Sequence, residues 1–206
     1  MKKTIVTLAA SLLIVTSHFA CNKSSQALSD SLLPREKQGL AFMREEEKMA
    51  FDVYDSLYTR FGLMPFQNIR QSESNHMAAV KSLLDKYGLP DPAAGNGPGQ
   101  FTSTTIRQLY NMLIAKGDSS EVQALTAGAL IEEVDIRDLH EQLALVQSAD
   151  IRNVYENLMR GSRNHLRAFV SNLASRGVTY VPQYLSQAEF DAIINSPMEP
   201  GSRRNW

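Results

Sequence analysis

Four stretches of this chain repeat apolar residues at three- and four-residue spacing, and each stripe is interrupted near its middle by acids, histidines or a serine. The spacing is that of a helix with one buried face. In "QSESNHMAAV", Glu73 and His76 stand among Ile69, Met77, Val80, Leu83, Leu84 and Tyr87. At about 100° per residue those six fall within about 80° of Glu73, and His76 lies about 60° from it. A carboxylate and an imidazole buried together cost several kcal/mol unless they find partners. Such a chain has to pack its helices around something polar.

The other three stripes repeat the conflict. In the first, Leu40, Met43, Ala50, Phe51, Tyr54, Tyr58 and Phe61 share a face with Glu47, whereas Glu45 turns away and Glu46 lies at an edge. In the third, Leu125, Ile131, Val134, Ile136, Leu139, Leu143 and Val146 enclose Glu132 and Asp135, with Glu133 and Arg137 outward. In the fourth, Ile151, Tyr155, Leu158, Phe169 and Leu173 share a face with Ser162 and His165. Every such polar residue lies within about four residues, or roughly 6 Å, of its helix midpoint. Antiparallel helices of similar length would bring them into one layer. His140 falls on an outer face, and no Lys or Arg sits at the centre of a stripe.

Buried carboxylates and imidazoles with no internal cation predict a metal site. In di-iron carboxylate bundles two helices give one Glu each and two give Glu-x-x-His. Glu47 and Glu132 fit the single positions and Glu73-x-x-His76 the first pair, but the second pair reads Ser162-x-x-His165. The predicted ligands are Glu47, Glu73, His76, Glu132 and His165, with Tyr54, Asp135 and Ser162 around them. Carboxylates and imidazoles suit iron first, then manganese or zinc, as one or two ions. Asp135 or water would complete an asymmetric pair. Cys21 is the only cysteine, which excludes a cysteine-rich site and internal disulfides.

The boundaries follow from turn and cap signals. A helix is expected over 34–61, with proline in its first turn and Gly62 to stop it, and another over 68–87. The Pro- and Gly-rich "LPDPAAGNGPGQF" is a loop, followed by a short helix over 104–116 with Ser103 as N-cap. "GDSSE" caps a long helix reaching Val146, and "QSADI" opens a fourth ending at Gly177. Only Val178–Val181 suggests a strand. "SQAE" is a capping box for a short last helix to Asn195. The expected fold is all-α: a four-helix bundle whose long crossover carries an extra helix, a feature of ferritin-like folds, plus the short C-terminal helix.

The start of the chain is of another kind. Lys2 and Lys3 precede a short apolar run that ends at Ala20, just before Cys21. This predicts a lipoprotein signal over 1–20, although His18 stands where an aliphatic residue is usual; a secreted or periplasmic protein is the alternative. Lipid on Cys21 would hold the protein at the membrane of the bacterial cell envelope. Residues 21–33 would be a tether, 34–195 the helical domain and 196–206 a flexible tail. A formal charge of −1 gives no electrostatic case for nucleic acid as a partner.

The stretches "REEEKMAFDVY", "SESNHM", "LIEEVDIRDL" and "GSRNHLRAF", followed by "PQYLS", resemble the bacterial domain-of-unknown-function family 2202, a ferritin-like group, over about 37–194. The resemblance implies a ferritin-like fold and a candidate two-metal centre, with Glu47 and Tyr54 similar to a first-helix ligand and its tyrosine neighbour in rubrerythrin and bacterioferritin. Two functions are expected from the set: an envelope oxidoreductase of di-iron type acting on ferrous iron, oxygen or peroxide, or a non-catalytic metal-stabilised or partner-binding scaffold with a degenerate site. Homodimerisation and a small-molecule substrate stay open.

Overall fold

The computed structural model describes residues 28–29 and 31–200. The signal segment 1–20, Cys21, most of the 21–33 tether and residues 201–206 lie outside the described residues. Among the described residues there are six helices: α1 Pro34–Phe61, α2 Met64–Lys86, α3 Thr104–Gly117, α4 Glu121–Leu145, α5 Ala149–Ala174 and α6 Gln187–Ile194. No strand forms among them, so Val178–Val181 is a correction. None of these helices is long and apolar enough to cross a membrane.

Local chemistry sets the ends. Gly62 closes α1 in the left-handed region (φ 67°), its N–H donating to the Tyr58 carbonyl at 2.7 Å. Ser103 and Ser120 cap α3 and α4 by accepting from the N–H groups of Ile106 and Gln123 at 3.3 and 3.2 Å. The Ser186–Glu189 capping box opens α6 as expected. α2 begins earlier than the expected Asn68, because Pro65 is tolerated in its first turn. α5 ends at Ala174, and the chain turns through Gly177 at φ 73°.

The ends also reveal how the long helices run. At one end Glu36 of α1 accepts from the N–H groups of Gln147 and Ser148 at 2.8 Å each, and Arg35 donates to the Leu145 carbonyl at 3.0 Å. Lys86, at the end of α2, meets Asp150 at the start of α5 at 2.7 Å. The starts of α1 and α5 and the ends of α2 and α4 therefore share one end. α2 and α4 are parallel, so the chain between them returns along the length of the domain, carrying α3. α1 packs on α2, α4 on α5, and the pairs join through α1–α4 and α2–α5 contacts.

The returning segment is clasped by the charged run of α1. Arg44 makes two 3.1 Å bonds to Asp91, and Glu45 accepts from the N–H groups of Thr102 (2.5 Å) and Ser103 (2.8 Å). Lys48 pairs with Asp52 at 2.5 Å, donates to the Gly97 carbonyl and lies 4.7 Å above the Phe101 ring. Glu45, which turns away from the first stripe, is thus buried by the crossover. Residues 196–200, expected as the start of a flexible tail, are tied to α5: Arg163 and Arg167 pair with Glu199, and Asn164 donates to its carbonyl.

Two apolar clusters form the core. One contains Met49, Tyr54, Phe66, Leu125, Leu166 and Phe169, the other Leu40, Met43, Leu84, Leu139, Tyr155 and Leu158. On α1, α2 and α5 the polar residues of the stripes fall between the two sets, and on α4 Glu132 and Asp135 lie at the same boundary. One polar layer therefore divides the core, as the helix midpoints predict. Tyr54, Phe66 and Phe169 pack below it with ring centroids 5.4–5.9 Å apart. Burying rings of this size stabilises by about 2–3 kcal/mol each.

Candidate metal centre

The layer gathers one or more groups from each long helix. Glu47, Glu73, Glu132 and His165 are buried, and His76 keeps only 12% of its side chain exposed. Their ligating atoms form two groups, Glu47–Glu73–His76 and Glu73–Glu132–His165, with all atoms of a group within 4.8 Å of one another. Glu73 belongs to both. Its Oε2 lies 2.8 Å from His76 Nδ1, which also meets Glu47 Oε2 at 3.2 Å. Its Oε1 lies 2.9 Å from His165 Nδ1, which faces Glu132 Oε2 at 3.4 Å. The two imidazoles stack at 5.7 Å.

The surroundings hold this geometry. Tyr54, fully buried, donates to Glu132 Oε1 at 2.5 Å and leaves Oε2 to face His165. Ser162 is bonded to Asp135 Oδ2, and its hydroxyl also lies 3.0 Å from the Leu158 carbonyl. Gly161 supplies space: a Cβ there would stand 2.6 Å from His76 Cε1 and 2.7 Å from its Nε2. Nothing in the stripes points to this glycine, because its role depends on how closely α5 approaches α2.

Burial raises Glu47, and the charge of Asp135 adds to that rise more than any other neighbour. Burial and the charge of Glu132 push Asp135 up to about 8. Burial also raises Glu132, with His165 opposing it. At Glu73 burial is outweighed by the two imidazoles, so among Glu47, Glu73, Glu132 and Asp135 it alone is held below its ordinary range. The same carboxylates overcome burial at the histidines, raising His165 to about 10 and His76 well above its usual value.

The structure brings the five residues expected as ligands together in two groups that share Glu73. Sequence reading missed Glu46, placed at an edge. That side chain is 1% exposed, raised by burial and then by Asp135, with neither oxygen partnered. Glu133, expected outward, is also buried. It accepts from the Tyr180 hydroxyl at 2.5 Å and from the N–H groups of Gln183, Tyr184 and Leu185 at 2.9 Å each. The "PQYLS" segment wraps over this second face of α4, which a single apolar stripe does not reveal. His140 is exposed, as expected.

The donor set fits a divalent metal. Glu47 Oε1 and Asp135 Oδ1 are buried without a hydrogen-bond partner, and Glu73 Oε1 and His165 Nδ1 have only each other at 2.9 Å. The buried cations among the described residues, Arg44, Lys48 and Arg167, are committed elsewhere. Unsatisfied buried carboxylates are expensive, and ionic ligation is one of the few ways to satisfy them. Oxygen and imidazole donors without thiolate suit iron, manganese or zinc.

Residues 36–197 match the profile of a family described as "Uncharacterized protein domain (DUF2202)". The "Uncharacterized protein MJ0754" of Methanocaldococcus jannaschii is 51% identical over 169 residues, covering 82% of this chain and 91% of the relative. The crystal structure titled as that of hypothetical protein MJ0754 superposes with a TM-score of 0.80 at 50% identity, covering 82% of this chain and 96% of the other. That relative is archaeal, so the expectation of a bacterial family is corrected: the family also occurs in archaea.

Proposed function

This chain belongs to the DUF2202 family, and from its geometry we propose that it is a ferritin-like protein holding two adjacent divalent ions, iron first, and acting as an oxidoreductase on ferrous iron, oxygen or peroxide. One observation carries the reading: the two oxygens of Glu73 face different His–Glu pairs, Glu47 with His76 and Glu132 with His165. A carboxylate so placed can bridge two ions. The parallel run of α2 and α4, joined by a long crossover, supports the ferritin-like arrangement.

A bound iron pair would supply two electrons to peroxide, which with two protons leaves as two waters. The chain's own residues bind, orient and exclude water. Glu73 spans both positions, His76 and His165 offer neutral nitrogens once they lose their protons, and Tyr54 fixes the orientation of Glu132. Phe66 and Phe169 pack against Tyr54 and keep that side dry.

The test is ferrous-dependent consumption of oxygen or peroxide by the metal-free protein. The wild type should consume oxidant with an initial rate that Glu73→Ala abolishes. Equal rates in the two proteins would overturn the reading. Ser162, standing where a bundle of this kind supplies a carboxylate, favours a second reading in which the ion only stabilises the fold. Under it, zinc would stabilise the protein as well as iron, and no oxidant would be consumed. The location rests on sequence alone: labelled palmitate should enter the wild type but not Cys21→Ser, and equal labelling would refute lipidation there.

A further inference from the structure

The centre is one carboxylate short on α5. Ser162 occupies the position, three residues before His165, that Glu73 occupies before His76. Its hydroxyl ends the side chain well before a glutamate's would. Ser162 is 1% exposed and bonded to Asp135 Oδ2. Asp135 is 6% exposed, sits one turn beyond Glu132 on α4, and keeps its Oδ1 buried without a partner. A carboxylate from the neighbouring helix therefore stands beside this position, bonded to the serine that occupies it. Asp135 lies outside the two groups of atoms within 4.8 Å of one another, so it would ligate by turning Oδ1 inward. No existing hydrogen bond of Oδ1 is lost in that turn.

We propose that Asp135 is the sixth protein ligand, supplying from α4 the carboxylate that α5 lacks, and that Ser162 is the positioning residue that holds its other oxygen. The inference rests on the two-ion reading of the centre. It gives the centre four carboxylates, two of them from α4, and two imidazoles. The site is then complete but asymmetric.

The experiment is titration of the metal-free protein with cobalt(II), read by bound stoichiometry and by visible absorption, which reports coordination. The wild type should bind two ions per chain. Asp135→Asn, close in shape but without the charge, should bind one ion as before and the other at least about 100-fold more weakly. Ser162→Ala should weaken that same ion by about tenfold and alter only its absorption band, and Ser162→Thr, which keeps the hydroxyl, should restore both. The metal-free Asp135→Asn protein should melt close to wild type, because asparagine keeps the shape and an oxygen for the Ser162 hydroxyl, which separates ligand loss from misfolding. Two ions bound at wild-type affinity by Asp135→Asn would overturn the proposal while leaving the two-ion centre standing. An unchanged Ser162→Ala spectrum and affinity would overturn the role of Ser162. One ion or none in the wild type would overturn the reading of the centre and this inference with it.

Discussion

Gly161→Ala probes the centre without touching a ligand. An added Cβ would stand 2.6 Å from His76 Cε1, whereas carbon atoms rest about 3.5–4.0 Å apart. The imidazole must retreat by roughly 1 Å, enough to spoil its 2.8 and 3.2 Å approaches to Glu73 and Glu47. Two opposing effects act on the metal-free protein. Alanine in a helix interior gains about 1 kcal/mol over glycine, and overpacking costs about 1–3 kcal/mol. The metal-free protein should therefore stay within about 2 kcal/mol of wild type. Metal binding should suffer more, because a displaced ligand loses affinity by about 10–100-fold. By linkage a 100-fold loss removes about 2.7 kcal/mol of metal-dependent stabilisation. At about 2–4 °C per kcal/mol for a domain of this size, the rise in Tm on adding manganese or cobalt should shrink by about 5–10 °C. Thermal melts with and without metal measure it. A variant that melts higher without metal and keeps the full metal-induced rise would refute the packing of His76 against Gly161.

The metal-free protein should be more stable near pH 6 than near pH 9. His165, raised to about 10, contributes fully below its ordinary 6.5 and loses that contribution as pH rises through 10; Asp135, raised from 3.8 to about 8, also favours the folded state at lower pH. Glu73 is lowered, so its contribution is lost only as pH falls below its ordinary 4.5. Metal affinity should run the other way and rise with pH, because His76 and His165 must shed protons; melts in chelator and titrations at the two pH values test both signs. Tyr54→Phe leaves Glu132 Oε1 without its 2.5 Å donor and should destabilise the metal-free protein by about 1–3 kcal/mol in chemical denaturation, an effect that metal partly reverses. Glu133→Gln should cost about 2 kcal/mol and speed amide exchange at Gln183–Leu185, while leaving metal stoichiometry unchanged.

Helical periodicity carried most of the architecture. α1 runs over the predicted residues, and the serine caps of α3, α4 and α6 were legible because a side-chain oxygen before a periodic run has one strong use. The buried polar cluster is legible for the same reason: Glu47, Glu73, His76, Glu132 and His165 each break an apolar stripe at a common height. Periodicity failed where a helix has two covered faces. Glu45 and Glu133 look solvent-facing on a wheel, yet each receives backbone N–H groups from an irregular segment, the crossover for Glu45 and "PQYLS" for Glu133. Those segments have no period, so their docking leaves no pattern to read. Gly161 and the Ser162–Asp135 contact depend on the distance between helices, which one helix's sequence does not encode.

The central claim is that Glu73 joins two metal positions in one layer of the core. Metal content by mass spectrometry, on the wild-type domain and on Glu73→Ala after anaerobic reconstitution with ferrous iron, tests it most directly. The account predicts two ions per chain in the wild type and none tightly held in the variant, since both groups lose their common ligand. A wild type that retains no metal after reconstitution, or a Glu73→Ala protein that still holds two ions, would contradict it.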